Sequence, residues 1–85
     1  MLIIYSAQLR AARGLLKMTR KKLSELSTVN INSIRDYELC DDRLLNAKHI
    51  TITKIIEIFR ERGVRFVAEE KEGTKILGVT VKFNS

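Results

Sequence analysis

The chain is poor in the side chains from which most active sites are built. Its one cysteine, Cys40, excludes an internal disulfide and any cysteine-cluster metal site. Its one histidine, His49, leaves no paired ligand or base. With no partner in the pattern, both read as loop or surface residues. No apolar run reaches the roughly 18 residues that a membrane-spanning helix needs. Residues 1–5 are apolar but far too short for a signal-peptide core with its flanks, so a cytoplasmic protein is expected. No pair of groups has nucleophile–base or metal-ligand logic, so the chain is not expected to be an enzyme. No cofactor, membrane or small-molecule ligand is expected either. Acidic side chains are missing altogether from residues 1–22, where Arg10, Arg13, Lys17, Arg20, Lys21 and Lys22 gather.

What is present sets the remaining bounds. A chain of 85 residues is expected to form a single domain, 1–85, with a modest core. Sixteen Lys and Arg against ten Asp and Glu give a net charge of +6, which suits an anionic partner. The acids Asp36, Glu38, Asp41 and Asp42 fall close together. Nothing else frames a metal there, so they read as an exposed or salt-bridged patch.

Residues 19–38, TRKKLSELSTVNINSIRDYE, organise the chain. They read as two short helices joined by a tight turn, with Leu23, Leu26, Val29, Ile34 and Tyr37 spaced to share one core when the helices cross steeply. Ser24 and Ser27 are small where the helices must approach. The connection Ser27-Thr28-Val29-Asn30 has about the length that a helix-turn-helix needs. Thr19 and Asn30 stand at the N-cap positions. Ahead of this motif, Ser6 is a candidate N-cap for a helix from Ala7 to about Leu16, burying Leu9, Ala12 and Leu16. Gly14 within it suggests close helix packing. After a loop at residues 40–46, Ile52, Ile55, Ile56 and Phe59 form the buried stripe of another helix ending at Gly63. Beyond Gly63 the period changes to two. Residues 64–67 and 76–83 read as the strands of a β-hairpin around a charged turn at 69–74. Ile58 lies off the helical stripe and suits either partial burial under this hairpin or a dimer contact.

The charges of the second helix carry chemical information. It opens with Arg20, Lys21 and Lys22, cations at the end of a helix where they are disfavoured. An anion in front of the free N–H groups would account for them, and DNA phosphate is the evident candidate. The second helix of such a motif enters the major groove by its N-terminal residues. Asn32 has the chemistry to read adenine, Ile31 to touch a thymine methyl, and Arg35 to bind guanine or phosphate. Asp36 could accept from a cytosine amino group.

The run Leu23-Ser24, Ser27, Val29, Ile34, Tyr37-Glu38 resembles the helix-turn-helix of the Cro/repressor (XRE-like) family of prokaryotic and phage regulators. The stretch from Gln8 to Arg13 is similar to that family's first helix. The segments at 63–67 and 78–81 resemble a short bacterial subgroup that closes with a small β-hairpin. The resemblance implies a mainly α fold, a four- to five-helix repressor-like DNA-binding domain with a C-terminal β-hairpin. The helical core would span 6–63, with the motif at 19–38, and the hairpin 64–83. It also implies a homodimer on double-stranded DNA that regulates transcription. Carried over by position, Ile31, Asn32 and Asp36 face the bases, with Asn30, Ser33 and Arg35 beside them. Arg20 touches phosphate or a base at the start of its helix, and the phosphate surface takes in Arg13, Thr19, Lys21 and Lys22. Thr28 and a position near Lys17 carry glycine in the family, so this chain needs strained or altered turns there. The dimer contact is expected from the hairpin or from residues 1–5, since exposed strand edges invite pairing. The other class of function the sequence admits is a protein-interaction module, an antitoxin-like partner or adaptor with a vestigial helix-turn-helix.

Overall fold

A computed structural model describes residues 5–40 and 48–82. In chain order it has α1 (Ser6–Leu16), α2 (Arg20–Ser27), α3 (Ile31–Leu39), α4 (His49–Glu61), β1 (Val64–Lys71) and β2 (Thr74–Val81). The architecture is mainly α, closed by a two-stranded antiparallel hairpin. The expected strand at residues 1–5 lies, apart from Tyr5, outside the described residues. So do the loop after Cys40, with Asp41 and Asp42, and Phe83.

Local chemistry sets the helix ends. Thr19 caps α2, its hydroxyl accepting from the Lys22 N–H at 3.0 Å, and Asn30 caps α3, accepting from the Asn32 N–H at 2.8 Å. At α1 the cap is one residue earlier than expected. Tyr5 holds the position, its N–H donating to Gln8 Oε1 at 3.0 Å, and Ser6 is a buried first residue of the helix. Both positions that lack glycine adopt the left-handed conformation, Lys17 at φ 52° and Thr28 at φ 61°. At Thr28 the neighbouring serines hold the turn. Ser24 Oγ donates to the Val29 carbonyl at 2.5 Å, and Ser27 Oγ donates to the Leu23 carbonyl at 2.7 Å while accepting the Val29 N–H at 3.3 Å. The two serines therefore bond the connection as well as leaving it room.

Leu9, Ala12, Leu23, Val29, Ile34, Ile52, Ile55, Ile56, Phe59 and Val64 form one core. Tyr37 packs against its edge, but Leu26 does not join it. Ser27, one turn beyond Leu23, takes the inward position and leaves Leu26 half-buried at the rim. Gly14 marks no close helix contact, since outside its own stretch of α1 no heavy atom lies within 4 Å of where its Cβ would stand. Ile58 is half-buried against the core.

The hairpin is longer and its turn tighter than expected. Val64 pairs with Val81 and the ladder runs to Lys71 with Thr74, so Glu69, Glu70 and Lys71 belong to β1. Only Glu72 (φ 52°) and Gly73 (φ 78°) turn, the two positive φ values of a type I′ hairpin. A solvated strand end rich in charge is hard to tell from a loop by composition. Phe66 meets Phe59 edge to face, ring centroids 5.8 Å apart. Gln8 ties the hairpin to α1: its Nε2 donates to the carbonyls of Val67 at 2.9 Å and Gly78 at 3.1 Å. Gly63 joins α4 to β1 at φ 84°, where an added Cβ would stand 2.7 Å from the Lys82 carbonyl oxygen.

Of the left-handed positions at helix ends, Lys17 and Gly63 predict opposite responses. Lys17→Gly relieves a side chain from φ 52° and should raise the unfolding free energy by about 1 kcal/mol. Gly63→Ala should lower it by more than about 1 kcal/mol. Urea denaturation followed by circular dichroism measures both.

Candidate nucleic-acid interface

Helix α3 has an inner and an outer side. Ile34 and Glu38, one turn apart, are fully buried, with Tyr37 half-buried beside them. Asn30, Ile31, Asn32, Arg35 and Asp36 are exposed and Ser33 is half-buried. Ile31 leaves 41% of its surface in solvent at the first position of the helix. The six residues expected to face bases thus lie along the start and outer side of one helix. Asn30 has a second duty, since its Oδ1 is occupied as the cap.

Helix α3 packs on α1 and α2, and its inner side there carries the least expected feature of the molecule. Glu38, read from the sequence as part of an exposed or salt-bridged patch, is salt-bridged, and it has no solvent exposure at all. Arg13 of α1 grips its carboxylate with two nitrogens, Nε to Oε2 at 2.5 Å and Nη2 to Oε1 at 2.8 Å. Arg20 of α2 adds Nε to Oε1 at 2.8 Å. Arg10 donates to the Glu38 backbone carbonyl. One buried carboxylate therefore joins three helices. Burial alone would raise its pKa, but the hydrogen bonds from Arg13 and Arg20, with their positive charge, outweigh that and hold the carboxyl below its ordinary range. The same hydrogen bond raises the pKa of Arg13 against the effect of its own burial.

This network revises the expected phosphate surface. All three nitrogens of Arg13 are engaged, the third, Nη1, donating to the Met18 carbonyl at 2.8 Å. Arg13 is thus committed to the interior. Arg20 gives only its Nε to Glu38 and remains 34% exposed. Thr19, Lys21 and Lys22 are exposed at the start of α2, the Thr19 hydroxyl serving as the cap. An anion for Arg20 is thus supplied in part from within the protein, by Glu38.

The sequence reading allowed Glu38 a salt bridge but missed its burial and its arginine partners, and a signal was there. Its four-residue spacing from Ile34 puts it on the buried stripe, while two arginines stand in a stretch with no acid. Gln8 gave no comparable sign, because its two hairpin partners are 59 and 70 residues away. Cys40 and His49 are exposed, as expected. Among the described residues, no three His, Cys, Asp or Glu side chains gather as a metal site. No helix among them is long and apolar enough to cross a membrane. No protein-family model matches the chain, and no curated protein matches it.

The Glu38 network predicts an acid-sensitive fold. An unfolded glutamate titrates near pH 4.3, about the ordinary value, and the folded one lower. The stabilisation is complete above the unfolded value and is lost as pH falls through the folded one. Glu38→Gln should flatten that acid limb. At neutral pH it should cost about 2–3 kcal/mol, below the largest losses for buried ion pairs because both arginines reach solvent. Urea midpoints from pH 7 down to 3 test both statements.

Proposed function

We propose that the chain is a sequence-specific transcriptional regulator of the repressor type, which binds double-stranded DNA as a dimer through major-groove readout by α3. The observation that carries this reading is the outer side of α3. Ile31, Asn32, Arg35 and Asp36 are exposed together, while Ile34 and Glu38 fix the opposite side to α1 and α2. A helix held so firmly on one side and left bare on the other is suited to enter a groove. Lys21, Lys22 and the Nη groups of Arg20 lie at the start of α2, where they would grip the adjacent strand. Asn32 would form the paired contacts to adenine and Ile31 would meet a thymine methyl. A two-fold dimer would read half-sites about one helical turn apart. This reading agrees with the resemblance to Cro/repressor-type regulators.

The protein-interaction reading has one observation in its favour: Arg13, expected on the phosphate surface, is occupied by Glu38. A stable co-purifying protein, with no retardation of random or genomic DNA at low salt, would favour it.

Selection from random duplexes, followed by fluorescence anisotropy on the selected site, separates the two. Affinity should fall steeply with salt, and Lys21→Ala and Lys22→Ala should each reduce the slope of log K against log salt by about 1. Asn32→Ala should cost about 1–3 kcal/mol on the selected site and relax preference at one base pair. Equal binding by wild type and Asn32→Ala on every sequence would remove Asn32 from the reading role.

A further inference from the structure

Among the described residues the outer edge of β1 pairs with no other strand, and its charge pattern fits a second copy of itself. A two-residue turn closes on a pair that exchanges both backbone bonds, here Lys71 with Thr74, and such pairs then alternate along the ladder. The Lys82 N–H to Gly63 carbonyl bond, at 2.9 Å, keeps the same alternation at the far end. It follows that Val64, Phe66, Ala68 and Glu70 point their N–H and C=O groups away from β2. Among the described residues no backbone group bonds to them. Helix α1 packs on β2, and α4 meets β1 through Phe59 and Phe66, so neither helix pairs with that edge.

We infer that two copies of the chain pair antiparallel through the outer edges of β1, about a two-fold axis at Val67. This deepens the dimer of the proposed regulator and rests on that reading for its biological role. On the solvent side of β1 the residues run Arg65, Val67, Glu69, all exposed, with Val67 at 37%. An axis at Val67 sets the two valines side by side and places each Arg65 opposite Glu69 of the other copy. Directly opposed residues lie close enough for apolar and ion-pair contacts. Neither charge has an ion-pair partner within its own chain among the described residues. Ile76, 48% exposed and across the hairpin from Glu69, widens the apolar patch. Neighbouring registers are worse. Moving the axis by two residues brings Arg65 onto Arg65, or Glu69 onto Glu69. The equivalent side of β2, with Thr74, Ile76, Gly78 and Thr80, has no opposed charges to fix a register. Pairing through β1 gives a four-stranded sheet and satisfies the open edge, which a lone hairpin leaves to solvent.

Sedimentation equilibrium of the full chain without DNA tests this pairing, in a Cys40→Ala background that removes the exposed thiol. A dimer is expected. Ala68→Pro removes an N–H that the hairpin itself does not use, and should weaken association at least tenfold with an unchanged circular dichroism spectrum. Glu69→Arg should weaken it as well, and Arg65→Glu with Glu69→Arg together should restore it. Val67→Cys should form an intersubunit disulfide on oxidation, because the axis places the two Cα atoms within bridging distance. A chain that stays monomeric at all concentrations would overturn the inference. So would a dimer unaffected by Ala68→Pro, or one cross-linked by Val79→Cys and not by Val67→Cys. Since no DNA is present, these outcomes are independent of the wild-type DNA titration.

Discussion

A carboxylate removed from water is unfavourable by several kcal/mol unless its oxygens are fully partnered. Glu38 meets that condition with guanidinium groups from two other helices, Arg13 of α1 and Arg20 of α2. Because both oxygens are used, the three helices can neither slide nor rotate about one another without leaving a charge buried and unpaired. Apolar residues of the same volume would hold the helices about as strongly. They would not specify the angle in the same way, because dispersion contacts are not directional and bidentate hydrogen bonds are. The orientation of α3, and with it the direction in which Asn32 and Arg35 point, follows from this network.

The network also divides the basic residues into two groups that the sequence presents as one. Arg13 faces inward with each of its three nitrogens engaged, while Lys21 and Lys22 face outward and have no partner among the ion pairs of the described residues. Arg20 stands between them, anchored by Nε and still part exposed. Such an arginine is pre-oriented, so less side-chain freedom would be lost when it meets an anion. The cations at the start of α2, unfavourable for an isolated helix, are offset in part by Glu38.

Much of the helical half is legible from side-chain spacing. Thr19 and Asn30 mark their helices because each offers an oxygen to an unsatisfied N–H, a local property. The stripe from Ile52 to Phe59 shows the buried side of α4 for the same reason. The positive φ of Thr28, and that of Lys17, fall at and near positions where the family that the sequence resembles has glycine. What spacing does not show is pairing at a distance. Glu38 finds Arg13 and Arg20, and Gln8 finds Val67 and Gly78, only after the chain has folded. The hairpin turn is narrower than composition suggests because three charged residues at the end of β1 are solvated and look like loop. Gly14 and Leu26 show the remaining limit, since close approach and full burial depend on neighbours that periodicity cannot supply.

On the proposed function, the outer side of α3 is the surface that would meet DNA. Amide and side-chain chemical shifts of the labelled protein, titrated with a selected duplex at low salt, test it most directly. The largest changes are predicted at Ile31, Asn32, Arg35 and Asp36 and at Lys21 and Lys22, with Arg65, Val67 and Glu69 little moved. Changes confined to the hairpin, or none anywhere on α3 while the duplex is bound, would contradict it.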